Sequence, residues 1–78
     1  MDKEEVRTAI TKFLEMCVTY SDDSIKRKKA RLEKNMSAEL KEEIVKWVNY
    51  RDFTEHAIKE VLDGELDDWL ENIAKGET

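Results

Sequence analysis

Residues 24–49 read SIKRKKARLEKNMSAELKEEIVKWVN, and the arrangement of the whole chain depends on how this stretch is divided. Its large apolar residues recur at helical steps, mostly of three, four and seven: Ile25, Leu32, Met36, Leu40, Ile44, Trp47 and Val48. Such a stripe is typical of one face of an amphipathic helix, so the spacing predicts one helix over 24–49. The alternative is a break at Asn35-Met36-Ser37, with Ser37 as the N-cap of a new helix.

The segment before this stretch carries a stripe of its own. Its members recur at steps of three and four and are Val6, Ile10, Phe13, Leu14, Cys17 and Val18. This pattern predicts a helix over about 2–20. Ser21-Asp22-Asp23-Ser24 follows, and serine and aspartate favour turns and helix N-caps. We therefore expect the first helix to end at Tyr20.

The segment after it begins with a predicted turn at Asn49-Tyr50-Arg51-Asp52. Asp52 and Glu55 form a capping-box-like pair, which predicts that a third helix begins here. The apolar residues of this helix are Phe53, Ala57, Ile58, Val61, Leu62, Leu66, Trp69, Leu70 and Ile73. Gly64 interrupts it, but the stripe resumes in phase, which favours one helix over 52–75 rather than a helix that ends at Gly64.

The sequence thus predicts an all-α fold, a small bundle of three main helices over about 2–20, 24–49 and 52–75. Alternative breaks lie near Ser37 and Gly64. The 78 residues are enough for one small core, which predicts a single helical domain over 1–78.

Several protein classes are disfavoured by composition. The longest uninterrupted apolar stretch is Met16-Cys17-Val18, far shorter than the roughly 18 residues that a membrane span needs, so we expect no membrane partner. The acidic N-terminal residues lack the apolar core of a signal peptide. The chain has one cysteine, which cannot form an internal disulfide. Together these features favour a cytoplasmic protein.

Charge is distributed unevenly along this acidic chain, whose net charge is −5. Residues 24–36 carry one acidic and six basic side chains, the latter being Lys26, Arg27, Lys28, Lys29, Arg31 and Lys34. Clustered lysine and arginine are typical of nucleic-acid-binding surfaces, which makes these six the candidate phosphate contacts. The favoured interpretation is that they are solvated or face the acidic third helix of the same chain or of a partner, because the field of an acidic chain opposes the approach of a polyanion.

No catalytic signature occurs in the sequence. There is no glycine-rich phosphate loop, nucleophile elbow or Ser-x-x-Lys motif. His56 is the single histidine, and its pattern with Asp52 and Glu60 is typical of an exposed residue with local ion pairs. Cys17 lies on the apolar stripe of the first helix, which indicates a small core residue rather than a reactive thiol. We therefore expect no enzymatic activity, no cofactor and no bound metal.

Aromatic residues are numerous for so small a bundle. Trp47, Tyr50 and Phe53 bracket the predicted second turn, where aromatic residues usually close a corner of the core. The alternative is that exposed aromatic residues form an interaction surface, for which the candidates are Trp47, Tyr50 and Trp69. This excess and the absence of catalytic motifs predict a small non-catalytic protein that acts through protein–protein interaction in a regulatory or adaptor role. We expect the partner to be another protein, a second copy of the chain, or both, and we expect a homo-oligomer.

One segment resembles a known family. Residues 50–62, YRDFTEHAIKEVL, are similar to the second helix of ribbon-helix-helix repressors and antitoxins. The resemblance implies that Lys29-Ala30-Arg31-Leu32-Glu33 forms the DNA-reading ribbon and that residues 37–48 form the first helix of that fold. The alternative function is therefore a nucleic-acid-binding transcriptional regulator or antitoxin that uses the basic segment 26–34.

Overall fold

The computed structural model describes residues 2–76 and is 87% helical. Three helices follow one another along the chain: α1 (Lys3–Lys34), α2 (Ala38–Leu62) and α3 (Asp67–Ala74). No strand occurs within the described residues. The all-α class and the number of main helices are therefore confirmed, and the ribbon implied by the family resemblance is wrong because residues 29–33 lie within α1.

The first two helices form a long antiparallel hairpin. Arg7 of α1 contacts Val61 of α2, whereas Asp22 of α1 contacts Arg51, so residue numbers rise along α1 as they fall along α2. The short helix α3 then folds back against the N-terminal half of α1. Its Leu70 forms a buried cluster there with Val6 of α1 and Val61 of α2. The hairpin has a third helix at one end and a turn at the other.

The predicted helix bounds 2–20, 24–49 and 52–75 are wrong. Residues 21–24 and 49–52, both expected to be turns, lie inside α1 and α2. Ser21 and Ser24 are buried and lie three residues apart on one helix face, where their small side chains allow α2 to approach closely. Asp22 accepts a hydrogen bond from Arg51 at 3.1 Å. Packing between the helices thus overrides the local turn preference of serine and aspartate.

The alternative break at Asn35-Met36-Ser37 is confirmed, and it forms the turn of the hairpin. The Ser37 hydroxyl accepts a hydrogen bond from the backbone N–H of Leu40 at 3.3 Å, which is the N-cap interaction expected of serine. The apolar stripe continues unbroken across this turn because α1 and α2 each present their apolar face to the other. Periodicity therefore does not distinguish one helix from two here.

The break at Gly64, also an alternative, is confirmed by the backbone. Gly64 has a φ of +91°, a left-handed conformation in which glycine is favoured. The N–H of Glu65 donates to the carbonyl of Glu60 at 3.2 Å, which is the long hydrogen bond of a Schellman helix end. The stripe resumes in phase beyond Gly64 because the end of α2 and α3 bury their apolar side chains in one cluster.

The main core lies at the end of the hairpin where α3 packs. Val6, Val61 and Leu70 are fully buried there, and five partly buried residues pack against them: Ile10, Leu14, Leu66, Ile73 and Ala74. The molecule measures 50 × 21 × 15 Å with a radius of gyration of 16.4 Å, against about 11.5 Å for a compact chain of this length. It is an elongated rod in which much of the hairpin lacks a third layer.

Candidate interaction surface

A groove crosses the middle of the hairpin between neighbouring sides of α1 and α2. It is open to solvent, with a volume of about 640 Å³, and is lined by Phe13, Met16, Cys17, Tyr20, Ser21, Lys46, Trp47, Tyr50 and Thr54. We refer to it as the central groove. Aromatic and other apolar side chains dominate this lining, and contiguous surfaces of this kind mark sites of protein–protein contact.

The large side chains of the central groove are exposed. Phe13 is 63% exposed and Tyr50 is 52% exposed, and Met16 and Tyr20 have similar exposure. Phe53, which is 72% exposed, shares a second depression with Tyr50 and extends the apolar surface along α2. Isolated apolar residues are common on protein surfaces, but a cluster across two helices requires an explanation.

The aromatic rings of the groove contact one another. The ring centroids of Tyr20 and Trp47 lie 5.5 Å apart with a 57° angle between the ring planes, and those of Trp47 and Tyr50 lie 5.8 Å apart in an edge-on arrangement. The ammonium group of Lys28 lies 5.6 Å from the Trp47 ring. Such edge and cation–π contacts restrict the orientations of the three rings.

An ion pair fixes the two helices beside the groove. Arg51 Nη1 donates to Asp22 at 3.1 Å, and Arg51 Nε lies 3.6 Å from Asp52 and 3.8 Å from Glu55. The hydrogen bond to Asp22, followed by the charges of the neighbouring carboxylates, raises the pKa of Arg51 above its ordinary value. The guanidinium therefore stays charged and holds α1 and α2 in register next to Ser21.

A second ionic cluster lies at the α3 end of the hairpin. Arg7 donates to Asp67 at 2.7 Å and to Glu4, and it also donates to the carbonyl of Val61 in the last turn of α2. Lys3 lies 3.8 Å from Asp67. The hydrogen bond from Arg7 lowers the pKa of Asp67 below its ordinary value. One arginine thus joins all three helices, since it satisfies a helix-end carbonyl and pairs with the first turn of α3.

The candidate phosphate contacts lie elsewhere. Lys26, Arg27, Lys28, Lys29, Arg31 and Lys34 occupy the C-terminal part of α1 near the hairpin turn, so the expectation that they face the third helix of the same chain is wrong. The partners of the α3 carboxylates are Lys3 and Arg7. Within residues 2–76, none of the six forms an ion pair; Lys28 instead donates to Ser24 Oγ at 3.2 Å, and the other five are exposed.

The three predicted interaction residues do not form one surface. Trp47 and Tyr50 line the central groove. Trp69 lies on α3, which packs at one end of the hairpin, and it is 50% exposed. Sequence analysis missed the residues that α1 contributes, Phe13, Met16 and Tyr20. Their spacing of three and four forms a second stripe beside the buried one, and this was the signal that could have identified them.

The remaining candidates are isolated side chains. His56 is exposed and lies 2.6 Å from Glu60, without contact to Asp52 among the ion pairs of the described chain. Cys17 is half-buried and lines the central groove, so its assignment to the core is correct only in part. No cluster of three or more potential metal ligands occurs in residues 2–76.

None of the helices in the described range contains a stretch that is both long and apolar enough to cross a lipid bilayer. No protein-family model, curated protein or solved structure matches the chain.

Proposed function

We propose that the protein is a small non-catalytic interaction module whose central groove binds the helical surface of a protein partner. The observation that carries this proposal is the exposed aromatic lining of the groove. Phe13 and Tyr20 from α1 line the groove together with Trp47 and Tyr50 from α2. Phe13 does not belong to the core cluster.

The chemistry of the groove fits a partner helix. Two adjacent helices with an apolar trough between them accept the apolar stripe of a third helix, as in helix-in-groove recognition. Tyrosine and tryptophan are enriched at binding hot spots because each combines a large apolar area with a polar group at its edge. Lys46, whose ammonium lies 5.9 Å from the Tyr50 ring, and Glu42 supply a charged rim next to the apolar trough.

The test compares three baits: the unmodified chain, Tyr50→Lys and Met36→Lys. Met36 is 77% exposed and lies at the hairpin turn, so its substitution is a matched control outside the groove. Each bait is incubated with an extract of the native cell after nuclease treatment, and circular dichroism verifies that each is folded. We expect a protein that is retained by the unmodified chain and by Met36→Lys but lost with Tyr50→Lys. Equal retention by all three baits would contradict a role for the groove.

A second candidate function is nucleic-acid binding through the basic segment. It is favoured by the exposure of Lys26, Arg27, Lys29, Arg31 and Lys34, which have no ion pair within the described chain. Affinity for duplex DNA or RNA at low salt that falls steeply as salt is added would support it, because phosphate contacts release counterions. We rank it second because the net charge of −5 opposes the approach of a polyanion.

A further inference from the structure

The chain exposes more surface than a compact protein of its mass. Its accessible surface is 5929 Å², whereas a folded monomer of 9.2 kDa is expected to expose about 4,900 Å². The excess of about 1,000 Å² is close to the roughly 800 Å² that each partner buries in a stable interface. One interface of standard size would therefore bring the surface of the chain into the usual range.

The central groove lies at the midpoint of the rod. α1 runs from Lys3 to Lys34 and α2 from Ala38 to Leu62, so their midpoints fall beside Thr19 and at Tyr50. Both midpoints are next to the aromatic cluster. A two-fold axis at this point, perpendicular to the rod and parallel to the groove face, places the groove of one copy against the groove of another, and each copy then contributes the same patch.

Charge distinguishes the two ways of pairing such rods. The turn end, residues 24–43, carries seven basic and four acidic side chains, whereas the opposite end, residues 2–7 and 60–75, carries three basic and nine acidic side chains. The net charges are therefore +3 and −6. Antiparallel pairing places each positive end beside a negative end, while parallel pairing places the two negative ends together.

The exposed stripe of α1 has an acidic residue near its N-terminal end and basic residues near its C-terminal end. Glu5, Phe13, Met16, Tyr20, Arg27 and Arg31 recur at helical steps and share one side of the helix. Glu5 lies about 20 Å from the midpoint of α1 on one side, and Arg31 lies about 19 Å from it on the other, at 1.5 Å per residue. When two copies of this stripe run antiparallel about the midpoint, Glu5 of each lies beside Arg31 of the other.

From these observations we infer that the partner of the central groove is a second copy of this chain, bound antiparallel, so that the two hairpins form a four-helix bundle. This inference rests on the proposed interaction function and names its partner. The apolar residues at the centre supply the affinity, and the charged ends select the antiparallel orientation.

The test of the interface is sedimentation equilibrium of the full chain. We expect a dimer, and we expect Tyr50→Lys and Phe13→Lys each to weaken it by at least about 100-fold, because a symmetric interface contains every substitution twice. Met36→Lys should leave it unchanged. Two groove variants are used so that loss of the fold in one, which circular dichroism reveals, leaves the other as the test. A monomer at every concentration, or a dimer that neither variant weakens, would overturn the inference.

The test of orientation is charge exchange. Arg31→Glu and Glu5→Arg should each weaken the dimer, and the double variant should restore it. Lys29→Glu should have little effect, because Lys29 is exposed and lies about 160° around α1 from Arg31. Residues 5 and 31 of one chain are about 39 Å apart along the helix, so restoration requires contact between copies. Failure of the double variant to restore the dimer would exclude antiparallel pairing.

A distance measurement checks the same point independently. With Cys17→Ala as background and a spin label on Met36→Cys, antiparallel copies place the two labels near the 50 Å length of one rod, whereas parallel copies place them near its 21 Å width. A short distance would overturn the inferred orientation. If the chain is monomeric but the Tyr50-dependent capture of another protein persists, the inference fails while the proposed function stands.

Discussion

Substitution of Leu70 by alanine tests whether α3 closes the core. Leu70 is 0% exposed and belongs to the cluster with Val6 and Val61. Replacement of a fully buried leucine by alanine costs about 2–5 kcal/mol, since it removes apolar burial and leaves a cavity. A chain of this length is expected to have a free energy of unfolding of only about 4–12 kcal/mol, so the loss is a large share of the total.

The assay is thermal unfolding followed by circular dichroism at a fixed protein concentration, because association raises apparent stability. A loss of about 3 kcal/mol should lower the Tm by roughly 12–24 °C for a domain of this size. Trp69→Ala is the matched control. Trp69 is the neighbour of Leu70 on the same helix and is larger, but it is 50% exposed, so its replacement should cost under about 1 kcal/mol.

The two variants distinguish an effect of burial from an effect of side-chain size. If burial determines the loss of stability, Leu70→Ala lowers the Tm much more than Trp69→Ala does. If side-chain size alone determines it, Trp69→Ala lowers the Tm more. Equal Tm values for the two variants, or a shift under about 4 °C for Leu70→Ala, would refute the packing of α3 against α1 and the end of α2.

Three further predictions concern the helix ends and the ionic cluster. Gly64→Ala should lower stability by about 1–2 kcal/mol in chemical unfolding, because alanine is disfavoured at a φ of +91°, whereas steric contact is not the cause, since the nearest atom to an added Cβ is 3.6 Å away; an unchanged midpoint would contradict this helix end. Asp67→Asn should lower the free energy of unfolding at neutral pH. The difference in stability between this variant and the unmodified chain should shrink as the pH falls through and below the ordinary aspartate pKa of 3.8. Because Arg7 lowers the pKa of Asp67 in the folded state, the ionised carboxylate stabilises the fold above that value, and this contribution is lost once the carboxylate is protonated. A difference that is constant with pH would show that the Arg7–Asp67 pair is not responsible. Hydrogen exchange should show the amides of residues 22–25 and 50–53 to be protected, since both segments are helix interiors; rapid exchange there would restore the predicted turns.

The helical class follows from the sequence because periodic apolar residues and the scarcity of helix breakers act locally. The positions of the breaks do not. Ser37 and Gly64 carry genuine end signals, a cap hydroxyl and a residue that tolerates positive φ, but an apolar stripe that continued across each of them outweighed those signals in the prediction. A stripe in phase on both sides of a turn is also what two packed helices produce, so phase alone is weak evidence for continuity.

Only the aromatic residues that α2 contributes to the central groove were predicted as an interaction surface. Trp47 and Tyr50 attract attention as large aromatic residues, whereas Phe13 was assigned to the buried stripe of its helix. A two-helix hairpin covers α1 from one side only, so residues at the edge of that stripe remain exposed. The distinction between core and surface at Phe13 thus depends on how many helices pack around α1, which local periodicity does not encode.

The two false turns explain each other. Asp22 and Arg51 lie in the segments that were expected to be loops, yet they face one another across the hairpin and form its central ion pair. The serine and aspartate residues at 21–24 disfavour a helix when α1 is considered alone. They are suitable in the hairpin because Arg51 of α2 pairs with Asp22 and because the small side chains of Ser21 and Ser24 are buried. A turn signal composed of side chains that are buried or paired across a helix interface is therefore a contact signal. Ser21 and Tyr50 also line the central groove. The two segments that local propensity misassigned as turns therefore both contribute to the surface on which the proposed interaction depends.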